Sequence, residues 1–189
     1  MTTDDIDKPS KKIKHPTPVN QADELLSAFV GDQYNRYYRN KWFKGSQAHL
    51  NFSKIALSLP SFNLAGLIFN IAWLCYRRMI IYAALYLSFV SLIDVMLMHV
   101  LGRAAYNELP VASYFIFGVI LAFFCNHIYL YFSIKQVNKA LAQSDNIETA
   151  KAWLIERGGT SLGSAIGGTL LILIISAILR YMLAPNWYG

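Results

Sequence analysis

Four polar side chains sit where a polar side chain is costly. Asp94 and His99 lie within residues 79–101, and Asn126 and His127 within residues 111–134, in stretches that are otherwise almost wholly apolar. An ionised group at mid-bilayer costs about 2.5–3.5 kcal/mol on insertion scales, so such residues are the first functional candidates. Asp94 stands 15 residues into its 23-residue stretch, so its depth is real. Two chemistries suit it. Paired with His127, it makes a proton or cation site in a homo-oligomeric channel or transporter. Without that pairing, it accepts hydrogen bonds from a neighbouring helix and ties a bundle together, with Ser91 one turn away as a donor. His99, near the end of its stretch, reads as an interfacial residue. Asn126 and His127 read as helix–helix hydrogen-bonding groups, each bond averaging about 0.6 kcal/mol in membranes.

Signatures of catalysis are missing. The sequence holds no P-loop or dinucleotide fingerprint, and no helical H-x-x-x-H or E-x-x-H spacing. It therefore offers no catalytic residue, no metal ligand and no cofactor site, and the expectation is a protein that is not an enzyme. Cys75 and Cys125 lie in apolar surroundings without CxxC spacing, which reads as two small buried hydrophobes.

The elements that hold these residues follow from charge distribution. Only 15% of the 189 residues are charged and 55% are hydrophobic, against about 25% charged in an average soluble domain. Residues 109–134 and 158–179 carry no charge at all. Each run exceeds the roughly 20 residues that cross a bilayer, which excludes a soluble globular enzyme. The spacing predicts three transmembrane helices, over 79–101, 111–134 and 162–184. Gly163, Gly167 and Gly168 at the start of the third form a small-residue face for close helix packing, against the chain's own spans or a second subunit.

The remaining segments are shorter or more polar. Residues 1–20 read as a disordered tail with no signal-peptide core, in which Lys11, Lys12 and Lys14 can touch anionic lipid. Within 21–61, residues 21–44 predict one amphipathic surface helix. Its basic and aromatic end includes Arg36, Arg39, Lys41 and Trp42. Aromatic rings interleaved with cations also suit nucleic acid; beside membrane spans they indicate the lipid interface, and no nucleic-acid partner is expected. Residues 62–76 are apolar but short, and Arg77 and Arg78 follow at once. On a helical wheel Asn63, Gly66, Asn70, Trp73 and Arg77 share one quadrant, which suits an interfacial or re-entrant helix with anionic headgroups near the arginines. Residues 135–160 read as a polar loop of two short amphipathic helices, and 185–189 as a tail on the outer side, where Trp187 and Tyr188 are anchors. The expected fold is thus an all-α membrane protein.

Counting Lys and Arg orients it. Three spans with 62–76 held on the inner side leave fifteen basic residues inside and two outside, Arg103 and Arg180. Four spans would leave a much weaker bias, so the positive-inside rule favours three, with the N-terminus cytoplasmic and the C-terminus periplasmic.

The run Phe62-Asn63, Trp73 and Tyr76-Arg77-Arg78-Met79, flanked by Phe29-Val30-Gly31, Tyr37-Tyr38 and Asn126…Tyr129, resembles a bacterial family known as domain of unknown function 2628. The likeness covers roughly residues 29–131. Leu64 stands where that family often has Trp, and Asn70-Ile71 where a Gly-Pro pair is common, which weighs against a sharp break in the short helix. The resemblance implies a small integral protein of the bacterial inner membrane and supplies neither substrate nor catalytic residues. With few intramembrane charges and a cytoplasmic platform of Tyr, Trp and Arg, the expected role is an accessory or scaffold subunit that binds lipid and another membrane protein or itself.

Overall fold

The computed structural model describes residues 19–51, 61–106 and 110–183. Most of the N-terminal tail, Glu108 and the outer-side tail at 185–189 lie outside these, so the readings made for them stop at the sequence. Every regular element among the described residues is helical.

The chain enters through α1 (Val19–Val30), which stops at Gly31, where φ is 78°. A left-handed residue there closes the helix, with its N–H on the Ser27 carbonyl at 2.9 Å. A π-helical turn, Tyr34–Tyr38, then runs into α2 (Arg39–Phe43), which ends at left-handed Lys44. The single helix expected over 21–44 is therefore two, separated at the one residue that adopts positive φ without steric cost. Nor does it lie out on a surface. Leu25, Leu26 and Phe29 are fully packed away, as are Tyr34, Tyr38 and Trp42.

Their partners come from the far half of the chain. α6 (Pro110–Gln143) is one continuous helix, and α7 (Ile147–Arg157) follows it. The expected helix end at 134 fails because residues 135–143 contain good helix formers and no Gly or Pro. Ser113–Gln143, the stretch of α6 that contains its apolar window, has 31 residues, a length of roughly 46 Å at 1.5 Å per residue. That overshoots a hydrocarbon core of about 30 Å. Its last turns pack with α1 and α7 as a three-helix bundle, where Leu25, Leu26, Val137, Ala140, Ala150 and Leu154 are buried. Residues 135–160 are thus part of a folded layer and not a loop. Asn146 caps α7 by accepting from the Thr149 N–H at 2.8 Å.

The apolar layer contains α5 (Ile80–Tyr106), the first part of α6 and α8 (Thr169–Leu183), the last preceded by a π-helical turn, Ser164–Gly168. α5 leaves helical geometry at Gly102. Ile80–Gly102 and Ser113–Gln143, whose 18-residue apolar windows have mean hydropathy 2.1 and 1.9, are long and apolar enough to cross a membrane. The apolar stretch Ser164–Leu179 is shorter. Between the two layers lie α3 (Leu64–Phe69) and α4 (Ile71–Tyr76).

One contact locks the bundle. The N–H of Gly159 donates to the Phe29 carbonyl at 2.6 Å, tying the end of α7 to the end of α1. A Cβ at Gly158 would collide with the Phe29 carbonyl and its own helix. Gly158→Ala is accordingly expected to destabilise the bundle by about 1–3 kcal/mol, the usual cost of overpacking. Thermal unfolding in detergent followed by circular dichroism checks this, and an unchanged midpoint refutes it.

Candidate functional site

Residues 62–76 form a helix–break–helix that runs down α6 and comes back. Asn63 enters beside Asn126, with its Nδ2 donating to the Asn126 Oδ1 at 2.8 Å. Gly66 fits against Cys125 and Ala122, where a Cβ would meet the Cys125 Sγ at 2.7 Å. Asn70 lies beside Gly118 and breaks the helix with φ 45° and ψ −112°. The seven-residue step from Asn63 to Asn70 and the eight-residue step from Asn126 back to Gly118 both span about 10–12 Å, so the descent matches. The chain then climbs through α4 until Trp73 and Arg77 are level with Tyr129. The break that the Asn70-Ile71 pair weighed against is present, with Asn, the next most tolerant residue after Gly, in the positive-φ position. Asn63, Gly66, Asn70, Trp73 and Arg77 are all buried, so the polar quadrant is turned into the protein.

The return ends in a tight reversal. The Arg78 N–H donates to the Cys75 carbonyl and the Met79 N–H to the Leu74 carbonyl, both at 2.9 Å. That pair of bonds, with Arg78 left-handed at φ 59° and Leu74 and Met79 buried, is a Schellman closure. Both ends of the hairpin consequently lie on one side, and α5 starts there.

Asn126 is the hub. Besides accepting from Asn63, its Nδ2 donates to the Ser61 hydroxyl at 2.8 Å and the Ser61 carbonyl at 3.1 Å. Its own carbonyl accepts from the Trp42 indole N–H at 2.9 Å. Trp42, expected at a lipid interface, is therefore a core residue, 5% exposed, and stacks with Tyr34, Tyr38 and Tyr129.

Arg77 sits in the same aromatic nest at 6% exposure. Its guanidinium carbon is 4.9 Å from the Tyr38 ring centre and 5.0 Å from that of Tyr129. Nε and Nη1 find no acceptor among the described residues, and none of their carboxylates pairs with it. Cation–π contacts return about 2 kcal/mol when desolvated, whereas a buried ion costs several. Beside Arg77 opens a cleft of about 670 Å³, bounded by both arms of the hairpin, Tyr37 and Tyr38, and the lead into α8 at Leu162 and Ala165.

The other basic residues expected at a lipid interface take separate paths. Arg39 grips Asp23 through Nε at 2.9 Å and Nη2 at 3.2 Å, and the Tyr34 hydroxyl donates to the same carboxylate at 2.5 Å. Lys41 donates to the Tyr37 hydroxyl at 2.8 Å and to the Phe62 carbonyl at 3.0 Å. Arg78 is exposed and donates to the Glu156 carbonyl at 3.0 Å. Arg36 is exposed.

Asp94 is 8% exposed on α5. No hydrogen bond or ion pair joins it to His127, which is half-buried with an unpartnered Nδ1. Ser91, expected to serve Asp94, instead meets Ser176 of α8 at 3.3 Å between hydroxyls. His99 is exposed and its Nδ1–H donates to the Val95 carbonyl at 2.9 Å. The glycine face divides. Gly168 packs on Cys75 and Ile80, while Gly167 faces open space and Gly163 nearly so. Both cysteines are free and buried. Tyr129 is the residue that sequence reasoning undervalued; its signal was the face Gly118, Ala122, Asn126, Tyr129, Ser133 at helical spacing on α6.

Compared with protein-family models, curated proteins and solved structures, the chain finds no match.

Two outcomes follow from this site. Asn63→Leu and Asn126→Leu are each expected to cost about 1–3 kcal/mol, because each strands buried partners. The double variant should cost less than the two together; strict additivity in a double-mutant cycle refutes the coupling. Burial, and next the Asp23 hydrogen bond, push the Tyr34 phenol well above its ordinary 10.0, and burial likewise raises Tyr38. A raised folded pKa gives stability that is complete below pH 10.0 and is lost as pH rises beyond it. Alkaline titration should show these phenolates appearing only together with loss of helix; free titration near pH 10.0 in the folded protein overturns this.

Proposed function

We propose that this protein is a non-enzymatic accessory or scaffold subunit in the bacterial inner membrane, with three spans, a cytoplasmic N-terminus and a periplasmic C-terminus. The observation that carries the reading is α5. Its span Ile80–Gly102 has mean hydropathy 2.1, yet only 11% of its most apolar window is buried within the chain, against 39% for α6. A core helix of a soluble protein would be covered. This one leaves Ile81, Leu85, Phe89, Leu92 and Val100 open, a surface at home only in lipid or against other apolar helices. Between α5 and α8 runs a groove of about 350 Å³ containing Ser88, Ser91 and Ser176. Small hydroxyl residues in an apolar face are how membrane helices accept a neighbour.

The bundle supports the orientation. Arg39, Lys151 and Arg78 all contact α1 or α7 partners at that end, in keeping with the positive-inside count. The resemblance to domain of unknown function 2628 agrees with this reading and adds no activity to it.

Its test is a pull-down of the chain at native expression, with Ser88→Cys on the open groove as a crosslinking site. The expected outcome is a crosslink to a different membrane protein that co-elutes in mild detergent. A monomer with no crosslink overturns the proposal, and a crosslink solely to a second copy replaces it with a homo-oligomer.

A further inference from the structure

The cleft is lined by the buried cation of Arg77, and among the described residues no carboxylate pairs with it. Its other walls are apolar, chiefly Leu64, Ile68, Phe69 and Trp73 from the two arms of the hairpin. Leu64, Ile68 and Phe69 are more than half exposed, so the cleft opens along the hairpin's outer face, where the reading above puts lipid. Nε and Nη1 of Arg77 are buried and have no hydrogen-bond partner among the described residues. Lys41 adds a second positive charge, bonded to Tyr37, which lines the wall.

Residues 52–60 (FSKIALSLP), which precede Ser61 in the sequence, contain no carboxylate. A free inorganic anion would satisfy Arg77 and leave the apolar walls uncovered. A ligand that answers both features has an anionic head and a hydrocarbon tail.

We propose that this cleft is a binding site for one anionic phospholipid, whose headgroup phosphate pairs with Arg77 while an acyl chain lies along Leu64, Ile68 and Phe69. Guanidinium is suited to the task, since its planar fork binds phosphate oxygens through two N–H groups at once. Bound lipid would brace the two arms of the hairpin against Tyr38 and Ala165, which border the same cleft. The site rests on the membrane reading of the protein and not on its having a protein partner.

The experiment uses the full chain in mild detergent, delipidated and then supplied with phosphatidylglycerol or phosphatidylcholine and read by native mass spectrometry. Phosphatidylglycerol should be retained about tenfold over phosphatidylcholine. Arg77→Gln should abolish that preference, and Arg77→Lys should restore only part of it. Ala72→Trp fills the cleft while keeping the guanidinium, so it tests the site even if the arginine variants fail to fold; it should expel the lipid from a protein of unchanged helix content. Equal retention of both lipids by the folded wild type overturns the proposal. So does inorganic phosphate alone binding and displacing the lipid, which would assign the site to a free anion. Carbonate extraction of native membranes separates the two levels: a chain that stays in the membrane without selective lipid retention refutes the site and leaves the membrane reading standing.

Discussion

Everything in this molecule is arranged around the need to satisfy polar groups where water is scarce. Asn126 meets that need for three elements at once. Its side chain holds Asn63 and Ser61 at the hairpin's entrance, and its carbonyl holds the Trp42 indole of α2. Asn63 is doubly occupied, since its Oδ1 also caps α3 by accepting from the Gly66 N–H at 3.2 Å. Without this pair the hairpin would enter α6's wall with an uncapped helix and two stranded amides. In such an environment an unmade hydrogen bond costs more than a made one contributes. That asymmetry makes the register of α3 on α6 specific, and the register in turn sets where Asn70 turns and where Arg77 arrives.

Much of this was legible in the residues, and the failures have physical causes. Charge depletion located the apolar helices, because removing charge is the one thing a spanning segment must do. The quadrant of Asn63, Gly66, Asn70, Trp73 and Arg77 was correctly seen as a single stripe, and it stays buried even though the helix breaks in its middle. Its partner was not legible. A narrow polar stripe has the same spacing whether it meets headgroups or the small-residue face Gly118, Ala122, Cys125 of a neighbouring helix. The division at Gly31 was written in the sequence too, but hydrophobic periodicity runs through a glycine without noticing its φ. The continuation of α6 past 134 escaped for the opposite reason. Lys135 and Lys139 mark the end of apolar character and not the end of helix, and the helix goes on to build the bundle.

The aromatic and basic run 34–44 shows how one composition serves two settings. Tyr and Trp beside Arg and Lys are favoured at a lipid surface, where one end of the ring is dry and the other wet. The same residues are favoured in a core that must bury a guanidinium. Here Tyr38, Trp42 and Tyr129 stack on one another at centroid distances of 4.8–5.6 Å, and Arg77 lies across the Tyr38 and Tyr129 rings. Of the side chains expected to anchor the protein to lipid from outside, Trp42 instead packs on Tyr38 and Tyr129, and Arg77 lines the cleft. The cations divide accordingly. Arg39 is spent on Asp23 and Lys41 on Tyr37 and Phe62, whereas Arg77 is held in place by rings that cannot neutralise it.

The two ends of the molecule are therefore packed on different terms. At the bundle, polar and aromatic groups satisfy each other within the chain, and α1, α7 and the end of α6 enclose a core of ordinary soluble character. Along α5 and α8 the contact is sparse, and its polar element is the approach of the Ser91 and Ser176 hydroxyls. Apolar side chains of membrane helices gain little by meeting each other instead of lipid, since lipid tails are as apolar as leucine. An α5–α8 pair of this kind is held in place by its tethers, the Schellman turn at Arg78 and the packing of Gly168 on Cys75. Rigidity at the hairpin and openness along α5 are thus two consequences of the same rule: where polar groups must be satisfied the fold is specific, and where none need be, the surface is left for something else to cover.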